Sequence, residues 1–318
     1  MTPLHLLFVV DPVDTFNPTR DTSFAIMLEA QRRGHAVFEA HLTGLSAVGA
    51  TPWARCARLT VQRAPKPDHV QRGDWISKPL ETFDAIFMRK DPPVDAAYTT
   101  ACWLLDLTSR ARTQLINAPA GILAANEKIY ALRFPAFTPP TLVTGNPAEV
   151  SHFMDDVGGD AILKPLDGHG GAGVLRATSG DRNVRSMVEL LTHQGTRPVM
   201  VQRYIPQARE GDKRILLVDG NPVGAILRVP PEDDNRGNIH VGATVHQTTL
   251  TARESEMCEA LGPALRRDGL TLVGIDVIGG FLTEVNVTSP TGAQEIGRLD
   301  GTCPEGVLLD VVEARVPR

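Results

Sequence analysis

From Leu4 to Val10 the chain is apolar at all but one position, and Asp11-Pro12 closes the run, the pattern of a strand covered on both faces. The spacing then changes. Phe24, Met27, Leu28 and Gln31 recur at three and four residues, with Asp21 or Thr22 as cap and Gly34 as stop, which predicts a helix over 21–33. Ala36 to Ala40 reads as a second strand, and strand, helix, strand opens a parallel α/β layer. Ligands gather beyond the carboxyl ends of strands in such layers, which puts Asp11 near a crevice. Thr43 to Pro79 mixes Pro, Gly and Arg with short alternations such as Ala57 to Gln62, and reads as a meander inserted between strands. Phe83 to Met88 is the next strand, Ala96 to Arg110 a helix and Gln114 to Asn117 a short strand, so the first unit ends near Gly121.

Pro135, Pro139 and Pro140 then interrupt the chain and mark a boundary. Beyond them, the pattern predicts helices over 147–155 (capped by Asn146), 184–192, 253–267 and 304–315. Arg197 to Ile205 reads as a strand. Ile215 to Val218 and Val223 to Val229 form a hairpin around Asp219-Gly220-Asn221-Pro222, and Thr271 to Ile278 pairs with Gly280 to Val287 through Gly279-Gly280. These are antiparallel pairs, unlike the first unit. Pro230 to His246 has little periodicity, and a run of that length reads as an unstructured lid.

Composition narrows the class without naming a function. A chain with 42% hydrophobic and 22% charged residues is an ordinary globular one; with 5% aromatics, its core rests on Leu, Val, Ile and Ala. The net charge of −5, with no basic block, argues against nucleic acid as a partner. No run reaches the roughly 18 apolar residues of a membrane span, and the apolar start is too short and lacks the basic leader of a signal peptide. Cys56, Cys102, Cys258 and Cys303 are scattered, which predicts reduced thiols and a cytoplasmic protein.

The chemistry concentrates in a few stretches. In AILKPLDGHGGAGVLRAT, residues 161–178, glycine density lets the backbone turn its N–H groups toward phosphate oxygens. Gly168, Gly170 and Gly173 also satisfy G-x-G-x-x-G, but a dinucleotide site needs a helix to follow, and Val174-Leu175-Arg176-Ala177 reads as a strand. The stretch therefore predicts a hairpin flap. Arg89-Lys90-Asp91, at the end of a buried strand and before two prolines, suggests an anion-binding corner. On the last hairpin Glu284 and Asn286 share a face and Asp276 lies on the neighbouring strand; these oxygen donors suit Mg2+ or Mn2+.

Taken in order, FMRKDPP, Asn126-Glu127-Lys128, ILKPLDGHGGAGV, GDKRILLVDG and LTEVNVTSPTGAQEI resemble prokaryotic glutathione synthetase, within the ATP-grasp carboxylate–amine ligases, over nearly the whole chain. The resemblance implies an α/β (α+β) protein: an N-terminal parallel α/β domain over 1–122, then an ATP-grasp fold whose two antiparallel sheets clamp the nucleotide, divided into 123–204 and 205–318. It implies ATP as cosubstrate, held by Lys128, Lys164, Gly170, Gly171, Gln202, Tyr204, Ile205 and Asp212, with the metal on Asp276, Glu284 and Asn286. Arg214, Arg228 and Arg236 fall where the family places cations for the acyl phosphate. Asp11, Arg89, Lys90, Asp91, Ser289 and Thr291 would contact substrate. The implied reaction joins γ-glutamylcysteine to glycine, giving glutathione, ADP and phosphate, in a homodimer or homotetramer.

One place departs from the family. Where it tends to carry Gly-Gly-x-Gly, this chain has Gly242-Ala243-Thr244-Val245, flanked by His240 and His246, which read as solvated loop residues. The loss of glycines restricts the backbone there. The alternative is accordingly an ATP-grasp peptide ligase acting on a related γ-glutamyl peptide or another amine, and a nucleotide-responsive binding protein without activity is a third reading.

Overall fold

The computed structural model of the chain describes residues 2–231 and 243–316. The first sheet contains β1 (His5–Val9), β2 (Ala36–Val48), β3 (Thr51–Val61), β4 (Val70–Pro79), β5 (Ala85–Met88) and β6 (Gln114–Ile116), in the order β4-β3-β2-β1-β5-β6. β2, β1, β5 and β6 are parallel. Alternate residues of β1 enter different cores: Leu7 and Val9 one, Leu6 and Phe8 the other. That is why its run is apolar throughout rather than alternating. The helix Thr22–Arg32 begins where Asp21 accepts the N–H of Phe24 at 2.7 Å. The next helix, Ala96–Asp106, stops short of Arg110, because the N–H of Thr108 turns back to the carbonyl of Leu105 at 3.0 Å.

The expected meander over 43–79 is present, and it extends this sheet rather than standing apart from it. β2 continues past Ala40, and β3 and β4 add to it antiparallel. The pairing of β2 with β3 jumps between Ala40 and Leu45, so the alternation is broken although the strand is not. Gly44 lets the strands approach closely at this crossing, where a Cβ would lie 3.0 Å from the carbonyl oxygen of Arg55.

β7 (Thr141–Thr144), β8 (Asp160–Pro165), β9 (Leu175–Thr178) and β10 (Val199–Arg203) make a second sheet, order β7-β10-β8-β9, with every pair antiparallel. The third contains β11 (Asp212–Val218), β12 (Asn221–Val229), β13 (Thr244–Gln247), β14 (Leu272–Ile278) and β15 (Phe281–Asn286), order β13-β12-β11-β14-β15. Its two hairpins turn at Asp219-Gly220 and Gly279-Gly280, all four residues at positive φ, the backbone that matches strand twist in a two-residue turn.

Part of the expected lid is also strand. β13 pairs Thr244 with Val229 and His246 with Leu227, and Val245 packs against the core below. Arg236, His240 and Gly242 lie outside the described residues. Buried Asn117, just beyond β6, ties the first sheet to the third. Its amide donates to the carbonyls of Leu272 (2.8 Å) and Val287 (2.7 Å) and accepts the N–H of Leu272 (2.7 Å). Among the described residues no helix is long and apolar enough to cross a membrane. The four cysteines are free, three of them buried.

Candidate active site

A cavity of about 810 Å3 opens between the second and third sheets, roofed by the glycine-rich segment between β8 and β9. The segment is a strand–loop–strand flap, as the absence of a following helix predicted. Gly170, Gly171 and Gly173 take positive φ there (64°, 78° and 72°), a backbone other residues resist.

One end of the cavity is largely apolar. Ile162, Val174, Leu175 and Ile278 line it beside the segment Gln202 to Ile205. Arg176, on β9, lies with its guanidinium carbon 3.9 Å from the Tyr204 ring centroid. Asp160 grips that guanidinium through two hydrogen bonds of 2.9 and 2.6 Å, fixing a flat wall. No motif in the sequence singles out Arg176. Its signal was the Asp160/Arg176 pair, one residue near each outer end of the flap, and only pairing of β8 with β9 joins them.

The middle is cationic. Lys128 donates to the carbonyl of Gly168 at 2.6 Å and lies 3.4 Å from Glu284. Lys164 donates to the side-chain oxygen of Gln202 at 2.9 Å. Both lysines are buried, and burial lowers the pKa of Lys164, while the Glu284 carboxylate works in the other direction. A buried ammonium held by one neutral amide favours an anionic ligand. Lys164→Ala is accordingly expected to raise the dissociation constant of ATP about tenfold or more, the worth of one charge-assisted hydrogen bond. Calorimetric titration with ATP checks this, and an unchanged affinity would remove Lys164 from the site.

Beyond the lysines lies a buried four-charge network. Asp276 accepts from Arg214 Nε at 2.5 Å and Nη2 at 3.1 Å, and Arg228 Nη2 lies 3.0 Å away. Arg228 also bonds Asp212. The two guanidiniums hold the Asp276 carboxyl well below the usual range against the opposing effect of burial. Burial pushes Asp212 up to about 6, and the nearby Asp276 charge adds to the effect. Register explains the convergence: Arg214 pairs with Asp276 across β11 and β14, and Asp212 with Arg228 across β11 and β12. Arg228 Nε and one oxygen of Asp212 have no hydrogen-bond partner among the described residues. Both residues line the cavity.

The three expected metal ligands do adjoin one another. Asp276 and Glu284 are cross-strand partners, and Asn286 donates through Nδ2 to Asp276 at 3.2 Å. Asp276 is largely engaged by arginines, so Glu284 is the carboxylate most open to a cation. Among the described residues no cluster of three His, Cys, Asp or Glu side chains could hold a metal by itself. Mg2+ does not require one: it takes one or two carboxylates and completes its octahedron with water and phosphate oxygens. The donor set fits.

The remaining expected residues divide. Asp91, Ser289 and Thr291 line the cavity. Arg89 is buried behind it, donating to Ser23 Oγ and to the carbonyl of Pro290, both at 3.0 Å. Asp11 and Lys90 pair at 3.1 Å, and Asp11 accepts the N–H of Asp91 at 3.2 Å, a corner beside the cavity rather than a part of its lining. Gly170, Gly171, Gln202, Tyr204, Ile205, Asp212, Arg214 and Arg228 all line it, as does Glu127. His246 is an exposed strand residue.

Comparison with known proteins adds three findings. The family models described as the prokaryotic glutathione synthetase N-terminal domain and ATP-grasp domain match residues 4–122 and 127–301. A glutathione synthetase from Synechocystis sp. is 46% identical over 308 residues, covering 94% of this chain and 95% of the relative. Another from Brucella melitensis is 45% identical over 312 residues, covering 98% and 99%. Among solved structures, the D-cycloserine synthetase DcsG superposes with TM-score 0.67 at 17% identity, covering 98% of this chain and 99% of that one. The ATP-grasp ligase PsnB complexed with minimal precursor, Mg and ADP gives 0.61 at 17%, with coverage of 99% and 98%. At such identity these two speak for the fold alone.

Proposed function

The chain belongs to the prokaryotic glutathione synthetase family, and from that premise we propose how its residues divide the work of an ATP-dependent ligase that makes glutathione. The donor is γ-glutamylcysteine and the acceptor glycine. A carboxylate does not react with an amine, because its carbon is shielded by resonance and has no leaving group. Phosphoryl transfer from ATP supplies one, and the amine then displaces phosphate from the acyl phosphate.

The first step brings two anions together. Lys128 and Lys164 flank the triphosphate beneath the flap, and the backbone N–H groups around Gly170 and Gly171 are available to its oxygens. The base lies at the apolar end, against Gln202 to Ile205, with Asp212 toward the ribose. Arg214 and Arg228 hold the donor carboxylate as it attacks the γ-phosphate and ADP leaves, with Asp276 fixing both forks; Arg236 is proposed for the same end. Glu284 and Asn286, with Asp276, would hold Mg2+ or Mn2+, which when bound offsets phosphate charge. Asp91, Ser289 and Thr291 face the donor peptide, while Asp11, Lys90 and Arg89 support that rim. The flap excludes water, which would otherwise hydrolyse the intermediate.

The carrying observation is convergence: Lys128, Lys164, Arg214, Arg228 and Glu284, from five separate segments of chain, line one cavity under one flap. The division into 1–122, 123–204 and 205–318, a cytoplasmic location and assembly into a homodimer or homotetramer belong to the same proposal. Each sheet falling within one of those spans supports the first; light scattering tests the last. The decisive assay is ADP release with γ-glutamylcysteine, with and without glycine, followed by a panel of other amines. Release that depends on glycine supports the reading; release that prefers another amine replaces glycine, and none with this donor rejects the substrate assignment.

A further inference from the structure

Residues 287–292, between β15 and the helix Ala293–Asp300, have no regular structure, yet Thr288, Ser289, Pro290 and Thr291 line the cavity. The shape of this turn is imposed from outside it. Asn117 donates to the carbonyl of Val287, Arg89 to that of Pro290 at 3.0 Å and Arg214 to that of Thr291 at 3.1 Å. The most concentrated grip comes from Glu127. A single oxygen, Oε1, accepts the N–H of Val287 at 2.9 Å, the N–H of Thr288 at 3.1 Å and the Thr288 hydroxyl at 2.9 Å. Its main-chain carbonyl also accepts the N–H of Val285 at 2.8 Å. One residue therefore fastens the end of β15 and the first turn beyond it, next in sequence to Lys128 on the nucleotide side.

A carboxylate is the group suited to this. Gathering three donors on one oxygen requires the electron density of an anion, and a neutral side chain would leave buried N–H groups unmatched. Burial and the nearby Glu284 charge raise the Glu127 carboxyl, and the hydrogen bonds from the turn act in the opposite direction. We propose that Glu127 is a positioning residue for the peptide donor: its carboxylate sets the 287–291 turn so that Ser289 and Thr291 face the substrate. This rests on the assignment of the far end of the cavity to the donor peptide.

The test compares Glu127→Ala, Glu127→Gln and Thr288→Val in the full chain. Glu127→Ala is expected to raise KM for γ-glutamylcysteine about tenfold or more, while ATP affinity changes less than about threefold. Glu127→Gln, whose neutral amide oxygen accepts fewer of the three donors, recovers only part of the loss, and Glu127→Ala/Thr288→Val is no worse than Glu127→Ala, because the hydroxyl contact that Thr288→Val removes is already lost in Glu127→Ala. Hydrogen exchange over 287–292 rises in Glu127→Ala whichever substrate the enzyme uses. It reads the inference even where the wild type releases no ADP with this donor, an outcome that counts against the substrate assignment alone. Unchanged exchange and KM overturn the proposal, as does an equal loss of ATP affinity. Should Glu127→Ala not fold, Thr288→Val carries the test, with a smaller KM rise in the same direction and no change in ATP affinity.

Discussion

Glu284→Gln is expected to lower turnover by about 10²–10³-fold, the usual cost of removing one charge placed to stabilise a transition state, while the protein unfolds within a few degrees of its normal temperature. The replacement keeps shape and removes charge. The Glu284 side chain keeps 25% of its surface exposed and touches Lys128 at 3.4 Å, so the fold does not depend on desolvating it. Its charge acts on both buried lysines, since it also supports the ammonium of Lys164 against burial. It is in addition the carboxylate best placed for a divalent cation. Turnover and thermal unfolding measured together separate these effects. Wild-type turnover at saturating Mg2+ would remove Glu284 from the site, and a collapse in stability would make it a residue of the fold instead.

Asp276→Asn should do something different, damaging both activity and stability. The Asp276 side chain is 8% exposed and carries contacts to both Arg214 and Arg228. Neutralising it leaves two buried guanidiniums to share Asp212. Breaking a buried ion pair from one side costs about 3–5 kcal/mol, a large share of the roughly 5–15 kcal/mol that holds a domain together. The pH dependence has a definite sign. The folded pKa of Asp276 is depressed, so its stabilisation is present above the ordinary aspartate range and fades as pH falls through the folded value. Denaturant unfolding should therefore show a wide gap between wild type and variant at neutral pH that narrows in strong acid. A gap below about 1 kcal/mol at neutral pH, the scale of an exposed pair, would mean that the network is solvated.

The contrast between these carboxylates marks what residue order could convey. Glu284 and Asn286 are two apart on a strand, so their shared face follows from backbone geometry alone. The role of Asp276 as anchor for two arginines does not, because it depends on which strands lie beside β14. Arg89 makes the same point from the other side. A charge at the end of a buried strand suggested an anion site, but the guanidinium is turned into the protein, onto Ser23 and the Pro290 carbonyl. Glu127 was visible only as a member of a motif; its three donors lie some 160 positions away in the chain.

By itself the sequence determined what short-range chemistry controls. Apolar runs set the parallel strands, glycines at Gly220, Gly279 and Gly280 set the hairpin turns, and the flap declared itself through its glycines and the missing helix. Family motifs fixed the class of reaction through residues that stay close in the chain. Only the tertiary structure decided that β2 runs through its bulge into an antiparallel extension, that 244–247 is a strand, and that Asp212, Arg214, Arg228 and Asp276 form one buried network. Those outcomes depend on strand neighbours and desolvation. Both are properties of distant segments brought together, and no local pattern of residues carries them.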